Sequence, residues 1–501
     1  MPHAFVPALV ILALATVPGL ATPPAPNAKP APNAKPAPTR PASAPAPAPV
    51  VSGPIGAKLD AYLVQSHFAG VALVAKDGHM LLEKGYGIAD REKGVPWAVD
   101  SLVSIGSITK QFTAAAILKL EMEGRLKVSD PLSKFFKDAP ADKRDITLHQ
   151  LLTHTAGLDS DFAGDYEPVT RDAYVGRILA SKLRNTPGAE HFYANAGYSL
   201  LAAIVELASG QSYESYLRAH VLAPAGVTET GYRLPKWEDR RVPVGYDGGK
   251  RWGKMTEKPW APDGPYWALR GNGGIESTLD DLWAWSRALD GDAVLDAAAR
   301  AKMFTPHVKE GPQSDSFYGY GWAIETTPWN TRLVGHDGGN GIFSADFRRY
   351  VDDRIVVITA AADSSVKAWR FTGPLARIAR GEDVTAEAPR TAKLGPLGDG
   401  ARPDVIRQFV QVFNAHDLAR LHAFRAAHMA SRPGGPTDEQ RDQMAQRMWD
   451  DFGSLTAEGV LESDAESITV QMKTAKSPPV RFGFMFTPED RIAGIRVEAG
   501  D

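Results

Sequence analysis

Ser107 and Lys110 stand three residues apart in SIGSITKQFTAAAILKL, which runs from Ser104 to Leu120. A serine hydroxyl stays protonated at neutral pH and is a weak nucleophile until an adjacent base takes its proton. Residues i and i+3 share a helix face, so Lys110 reaches the Ser107 hydroxyl if a helix begins at Ser107. Burial in the apolar helix that follows would lower the lysine pKa, because desolvation disfavours the charged form. A helix start also offers free backbone N–H groups and a positive dipole end to a developing oxyanion. The pattern is short, and it recurs at Ser364 to Lys367 in DSSVK. Context separates the copies. Ser107 follows a serine- and glycine-containing turn and opens an apolar helix, whereas Ser364 lies in a polar loop after a strand.

Two further segments carry groups that such a pair would use. Tyr193-Ala194-Asn195 precedes a helical run from Ala196 to Ala208. A tyrosine beside a lysine cation can have its pKa lowered and act as a base. An asparagine amide can bind a substrate carbonyl and hold a lysine. The plainer alternative is a core Tyr193 and a helix-capping Asn195. His336-Asp337-Gly338-Gly339 ends a strand-like run, where glycine lets a substrate approach the backbone as if adding an edge strand. The Gly339 N–H could pair with the Ser107 N–H as an oxyanion hole. The plainer alternative there is a glycine-rich hairpin with an incidental histidine.

The elements that must position these residues are legible as patterns. Leu59, Tyr62 and Leu63 form a helical stripe near Ile55. Val71 to Ala75 and Met80 to Glu83 read as strands joined by an Asp77-Gly78 hairpin turn. The helix opened by Ser107 is expected to stop around Gly124. Strands return in GYGWAIE, TRLVGHDGG and FSADFRRYVDDRIVVITAA. Strands at both ends with helices between them predict an α/β domain: one antiparallel sheet built from both ends of the domain, flanked by helices, with a helical subdomain inserted.

Taken in order, Ser107-Ile108-Thr109-Lys110, Tyr193-Ala194-Asn195 and His336-Asp337-Gly338 resemble the Ser-x-x-Lys, Tyr-x-Asn and Lys/His-x-Gly set of the serine β-lactamase and penicillin-binding-protein-like hydrolases, nearest their class C and esterase branch. The resemblance covers 55–385 and includes ITLHQLLTHTAGL, GNGGIESTLDDLWAWSRAL and YGYGWAI. It implies Ser107 as the acylated nucleophile and Lys110 with Tyr193 as the base system. It implies substrate binding by Asn195, His336, Gly338 and Gly339, with oxyanion N–H groups from Ser107 and Gly339. His336 stands where the β-lactamases carry lysine. Histidine is shorter and mostly neutral at pH 7, so a substrate carboxylate would be held less firmly and β-lactam hydrolysis is disfavoured. The expected ionisation of His336 falls near pH 6 to 7, shifted by its surroundings. The activity implied is hydrolysis of esters or of D-amino-acid amides and peptides through a covalent acyl-enzyme. The alternative is a binder or sensor of peptidoglycan fragments or β-lactams. In LLTHTAGL, His154 is expected to be structural. Trp260, Tyr266 and Trp267 are expected either at the cleft mouth or in simple packing.

Composition sets the frame. With 501 residues and 44% hydrophobic content the chain can bury more than one core. A net charge of −3 gives no basic field for nucleic acid or an anionic membrane. The absence of cysteine excludes disulfides and thiolate chemistry. The histidines show no zinc-ligand spacing, so neither metal nor cofactor is expected. Residues 1–21 read as a signal peptide ending in Gly19-Leu20-Ala21, and 22–54 as an extended proline- and alanine-rich linker. Export to the periplasm or beyond is therefore expected, with no transmembrane segment. A second linker is expected at 386–402. From 403 to 501, helices followed by a strand meander loosely resemble the NTF2-like α+β cone fold, which often holds an apolar pocket. The expected partner is a small-molecule or peptide substrate.

Overall fold

The computed structural model of the chain describes residues 46–499 apart from 234, 238–240, 312–313, 387–393, 431–436, 465 and 478. The expected signal peptide and the start of the proline-rich linker lie outside the described residues. Strand Gly70–Lys76 shows why the sheet has two covered faces. Its alternate residues Val71, Leu73 and Ala75 enter one apolar core, and Ala72 and Val74 enter another. Asp77 and Gly78 both take positive φ, the conformation a two-residue hairpin needs, and the chain returns as strand His79–Tyr86.

Nine antiparallel strands line up in the order Val50–Val51, His79–Tyr86, Gly70–Lys76, Ile355–Ala361, Ser344–Tyr350, Arg332–Gly339, Ala323–Thr326, Phe317–Tyr318 and Val308–Lys309. The two ends of the domain meet where Gly70–Lys76 pairs with Ile355–Ala361, Val74 opposite Val357. Helices Gly53–Gln65 and Trp369–Ala379 cover one face through Leu59, Leu63, Leu375 and Ile378. The helical insertion covers the other. At its centre, helix Thr109–Met122 is buried nearly all round, as its apolar run requires, and Gly124 in the left-handed region ends it. This is the α/β architecture expected from the sequence.

A separate core lies further along the chain. Helices Ala401–Asn414, Leu418–His428 and Asp438–Phe452 pack on a four-stranded meander from Leu455 to Ala499. Ile468, Val470, Met472, Phe482 and Phe484 face Phe409, Phe413, Phe424 and Trp449. These side chains form the core of this region. A cavity on the opposite sheet face is lined by Thr469, Arg481 and Arg496 among others. Gly395 bridges Val460 and Leu397 packs on this core, so part of the expected 386–402 linker is drawn onto the C-terminal sheet. Among the described residues no helix is long and apolar enough to cross a membrane.

Candidate active site

Ser107 does not open an α-helix. It sits in a 3-10 turn, Gly106–Ile108, and the α-helix begins at Thr109. The tighter turn serves the pair better than the expected α-helix, because side chains at i and i+3 eclipse in a 3-10 turn. Lys110 Nζ lies 3.0 Å from Ser107 Oγ. It also lies 2.9 Å from Asn195 Oδ1 and 2.9 Å from the Asn272 carbonyl. Lys110 is fully buried, and burial lowers its pKa to about 7, with Asp161 and Asp337 opposing the shift. A neutral amine has two N–H groups and one lone pair. The Asn195 and Asn272 oxygens accept the two N–H groups, which leaves the lone pair directed at the Ser107 hydroxyl.

Asn195 is the first residue of helix Asn195–Ser209, and Ala194 occupies the cap position. The capping alternative is therefore set aside. The amide turns inward to Lys110 while its Nδ2 donates to Asp161 at 3.1 Å. Tyr193 is placed by a buried histidine. The His154 ring lies 4.2 Å from the Tyr193 ring, and its Nδ1 accepts the Ala194 N–H at 3.0 Å. His154 thus has the structural surroundings expected of it. Lys110 Nζ is 4.7 Å from the Tyr193 ring centre. The expected lowering of the Tyr193 pKa is not found: burial raises it, although the nearby Ser107 hydroxyl favours the ionised form. The phenol stays protonated at neutral pH. The Tyr193 hydroxyl is buried without a hydrogen bond of good geometry.

The third segment lies on strand Arg332–Gly339. Its neighbour Ala323–Thr326 pairs with it only as far as Ala323 opposite Gly335, so His336 to Gly339 extend beyond that pairing. The glycines also leave room for the protein's own backbone. A Cβ on Gly338 would lie 2.1 Å from the Ile105 oxygen and 2.6 Å from the Ser107 nitrogen. A Cβ on Gly106 would lie 2.3 Å from the Gly339 nitrogen, and Gly106 has a positive φ. Only glycine permits strand and turn to approach this closely. His336 is buried, with Nε2 at 2.9 Å from the Tyr318 hydroxyl. Burial lowers its pKa to about 4, helped by the Lys110 charge and opposed by Asp337. An ionisation near pH 6 to 7 is therefore corrected to one well below that range.

Two cavities meet at Ser107. One, of about 340 Å³, is lined by Tyr193, Glu310, Tyr318, Glu325, His336, Asp337 and Arg348 among others. The smaller, about 130 Å³, is lined by Tyr166, Asn195, Met255, Leu269 and Asn272 among others. Trp260 and Trp267 are buried in the main core and line neither, with Tyr266 packed against them. Ser364 is elsewhere, its hydroxyl accepting the Gly248 N–H. Sequence reasoning missed Asn272, Tyr318, Glu310 and Asp161. Asn272 and Tyr318 lie inside quoted motifs, GNGG and YGYGWAI, but nothing in a loop sequence tells which carbonyl meets a lysine.

A family model described as beta-lactamase matches residues 55–379. PbpX of Bacillus subtilis (strain 168) is 33% identical over 267 residues, 53% of this chain. The chain spans 65% of the length of that relative. The crystal structure of a penicillin binding protein from Bacillus halodurans aligns with a TM-score of 0.56 and 26% identity, covering 64% of this chain and 98% of that one. The structure of D-amino acid amidase from Ochrobactrum anthropi SV3 complexed with L-phenylalanine shares the fold, with a TM-score of 0.56 at 21% identity, covering 66% and 98%. The fold, the matched span and the assembled serine–lysine pair converge on one assignment: this chain belongs to the β-lactamase family.

Proposed function

We propose that the protein is an exported serine hydrolase that forms a covalent acyl-enzyme on Ser107 and acts on esters or D-amino-acid amides and peptides. The observation that carries the reading is the 3.0 Å contact between buried Lys110 Nζ and Ser107 Oγ, with Lys110 brought to about pKa 7 by burial. Neutral Lys110 takes the Ser107 proton as Oγ bonds to the substrate carbonyl carbon. The oxyanion lies toward the Ser107 and Gly339 N–H groups. As the carbonyl–leaving-group bond breaks, the Tyr193 hydroxyl protonates the leaving nitrogen or oxygen and is reprotonated from the Lys110 ammonium. Water then adds to the acyl carbon, losing its proton to the same base system, and Ser107 is released with the carboxylic acid product.

The D-amino acid amidase likeness supports the substrate range as a fold-level analogy. The test is intact-mass analysis after incubation with a fluorophosphonate, an aryl ester and a penicillin. Adducts that require Ser107, with turnover of the ester, are expected. A stable penicillin adduct with no turnover of any ester would favour the sensor reading. The absence of any adduct on Ser107 would overturn both.

A further inference from the structure

The larger cavity at Ser107 carries a charge imbalance. Its walls hold three carboxylates, Glu310, Glu325 and Asp337, and one guanidinium, Arg348. Arg348 is committed, at 3.0 Å to Glu325 and 2.7 Å to the buried Asp346. Among the described residues neither Glu310 nor Asp337 forms an ion pair. Glu310 accepts a hydrogen bond from Ser316, yet burial and the charges of Glu325 and Asp337 raise its pKa, opposed only in part by Ser316 and Arg348. His336 supplies no positive charge at neutral pH, since burial holds its pKa to about 4. Like charges collected around a partly buried cavity repel one another until a cation enters.

A second observation points to an occupant. Tyr193 lines the same cavity, and its buried hydroxyl makes no hydrogen bond of good geometry, with the Ser107 hydroxyl nearby. Under the acyl-enzyme reading, on which this inference rests, Tyr193 hands its proton to the leaving atom. The leaving group must therefore sit on the Tyr193 side, and the acyl part in the smaller cavity by Asn195, Met255 and Leu269. We infer that the cavity lined by Glu310, Asp337 and Tyr193 selects substrates whose leaving group bears a primary ammonium or guanidinium. A carboxylate there meets repulsion from Glu310, Glu325 and Asp337 with Arg348 already engaged.

The test compares three N-acetyl-D-alanyl esters on the full-length protein, with 2-aminoethanol, ethylene glycol or glycolic acid as leaving alcohol. The kcat/KM is expected to fall in the order cation, neutral, anion by about tenfold per step at low salt, the scale of one unit charge in a partly exposed site. Glu310→Gln combined with Asp337→Asn should bring the cation-to-neutral ratio below about threefold, and raised salt should narrow it in the wild type. Because the readout is a ratio within each variant, loss of folded protein does not affect it. Equal rates for the three esters, or a preference for glycolate, would overturn this inference and leave the hydrolase standing. Hydrolysis of none of the three, with no fluorophosphonate adduct on Ser107, would remove the hydrolase reading and this inference with it.

Discussion

Ser107-Lys110 and Ser364-Lys367 are the same four-residue pattern in one chain, and the fold treats them differently. In the first, a 3-10 turn eclipses the two side chains, and the lysine ends 3.0 Å from the hydroxyl. In the second, the Ser364 hydroxyl accepts the Gly248 N–H. The Lys367 ammonium lies 5.8 Å from the Trp369 ring centre. Burial lowers both lysine pKa values. Only Lys110, fully buried, is brought to about 7. The lesson is that the pattern supplies two functional groups, and the chemistry comes from what encloses them. Asn195 and Asn272 take the two N–H groups of a neutral Lys110 and so aim its lone pair. No such pair of acceptors is found at Lys367 among the described residues.

The largest expected effect tests that contrast directly. Ser107→Ala should lower kcat/KM for p-nitrophenyl esters by on the order of 10³-fold or more, as removal of a nucleophile does. Ser364→Ala should stay within about twofold. Equal losses would show that the contrast between the copies has no functional meaning.

The second prediction uses the lysines. If Lys110 acts as the neutral amine, activity should be absent when it is protonated and should grow as pH rises through about 7. Between pH 7 and pH 5, kcat/KM should fall by about 50-fold, the slope approaching one decade per unit well below the pKa. Lys110→Met should remove most activity, whereas Lys367→Met should leave both rate and acid limb unchanged. Steady-state kinetics from pH 5 to 9 on the three proteins decide it.

The third sharpens the division of labour between Lys110 and Tyr193. If the raised Tyr193 phenol serves as proton donor to the leaving atom, Tyr193→Phe should cost an amide substrate roughly 10²-fold, within the range of general-acid contributions. A p-nitrophenyl ester, whose leaving group departs as an anion, should lose less than about tenfold. Equal losses on both would assign Tyr193 to positioning instead.

The smallest effect concerns His336. With its pKa lowered to about 4, it contributes no limb between pH 6 and 7, and His336→Ala should keep the Lys110 limb in place. His336→Lys would set a second cation beside Lys110. Like charge disfavours protonation, so the acid limb should move to lower pH, by a few tenths of a unit to about one. A shift to higher pH would contradict the burial and charge relations found here.

Much of the fold was legible from periodicity. Val71 to Ala75, the Asp77-Gly78 turn and the Leu59, Tyr62, Leu63 stripe all report local geometry that side-chain burial reinforces. The proximity of Ser107 and Lys110 was legible because their spacing is local. The expected ionisations of Tyr193 and His336 were misjudged. A pKa depends on how completely surrounding elements exclude water, and those elements come from distant parts of the chain. The need of the Ile105 carbonyl and the Ser107 amide for space beside Gly338 could not be read from the sequence, because it arises between distant segments.

The sequence by itself determined which groups are available: a serine and lysine one tight turn apart, a tyrosine and asparagine at the start of a helix, a glycine-rich strand end. Those are properties of neighbouring residues and of hydrophobic period. Tertiary structure alone decided which copy of the pattern brings its lysine to its serine, and that burial moves the Tyr193 and His336 pKa values out of the neutral range. It also brought Glu310, Glu325 and Asp337 around one cavity. The physical reason is that desolvation, electrostatic coupling and backbone approach act through space, and the groups that exert them on Lys110 and Ser107 are supplied by loops and strands far away in the chain.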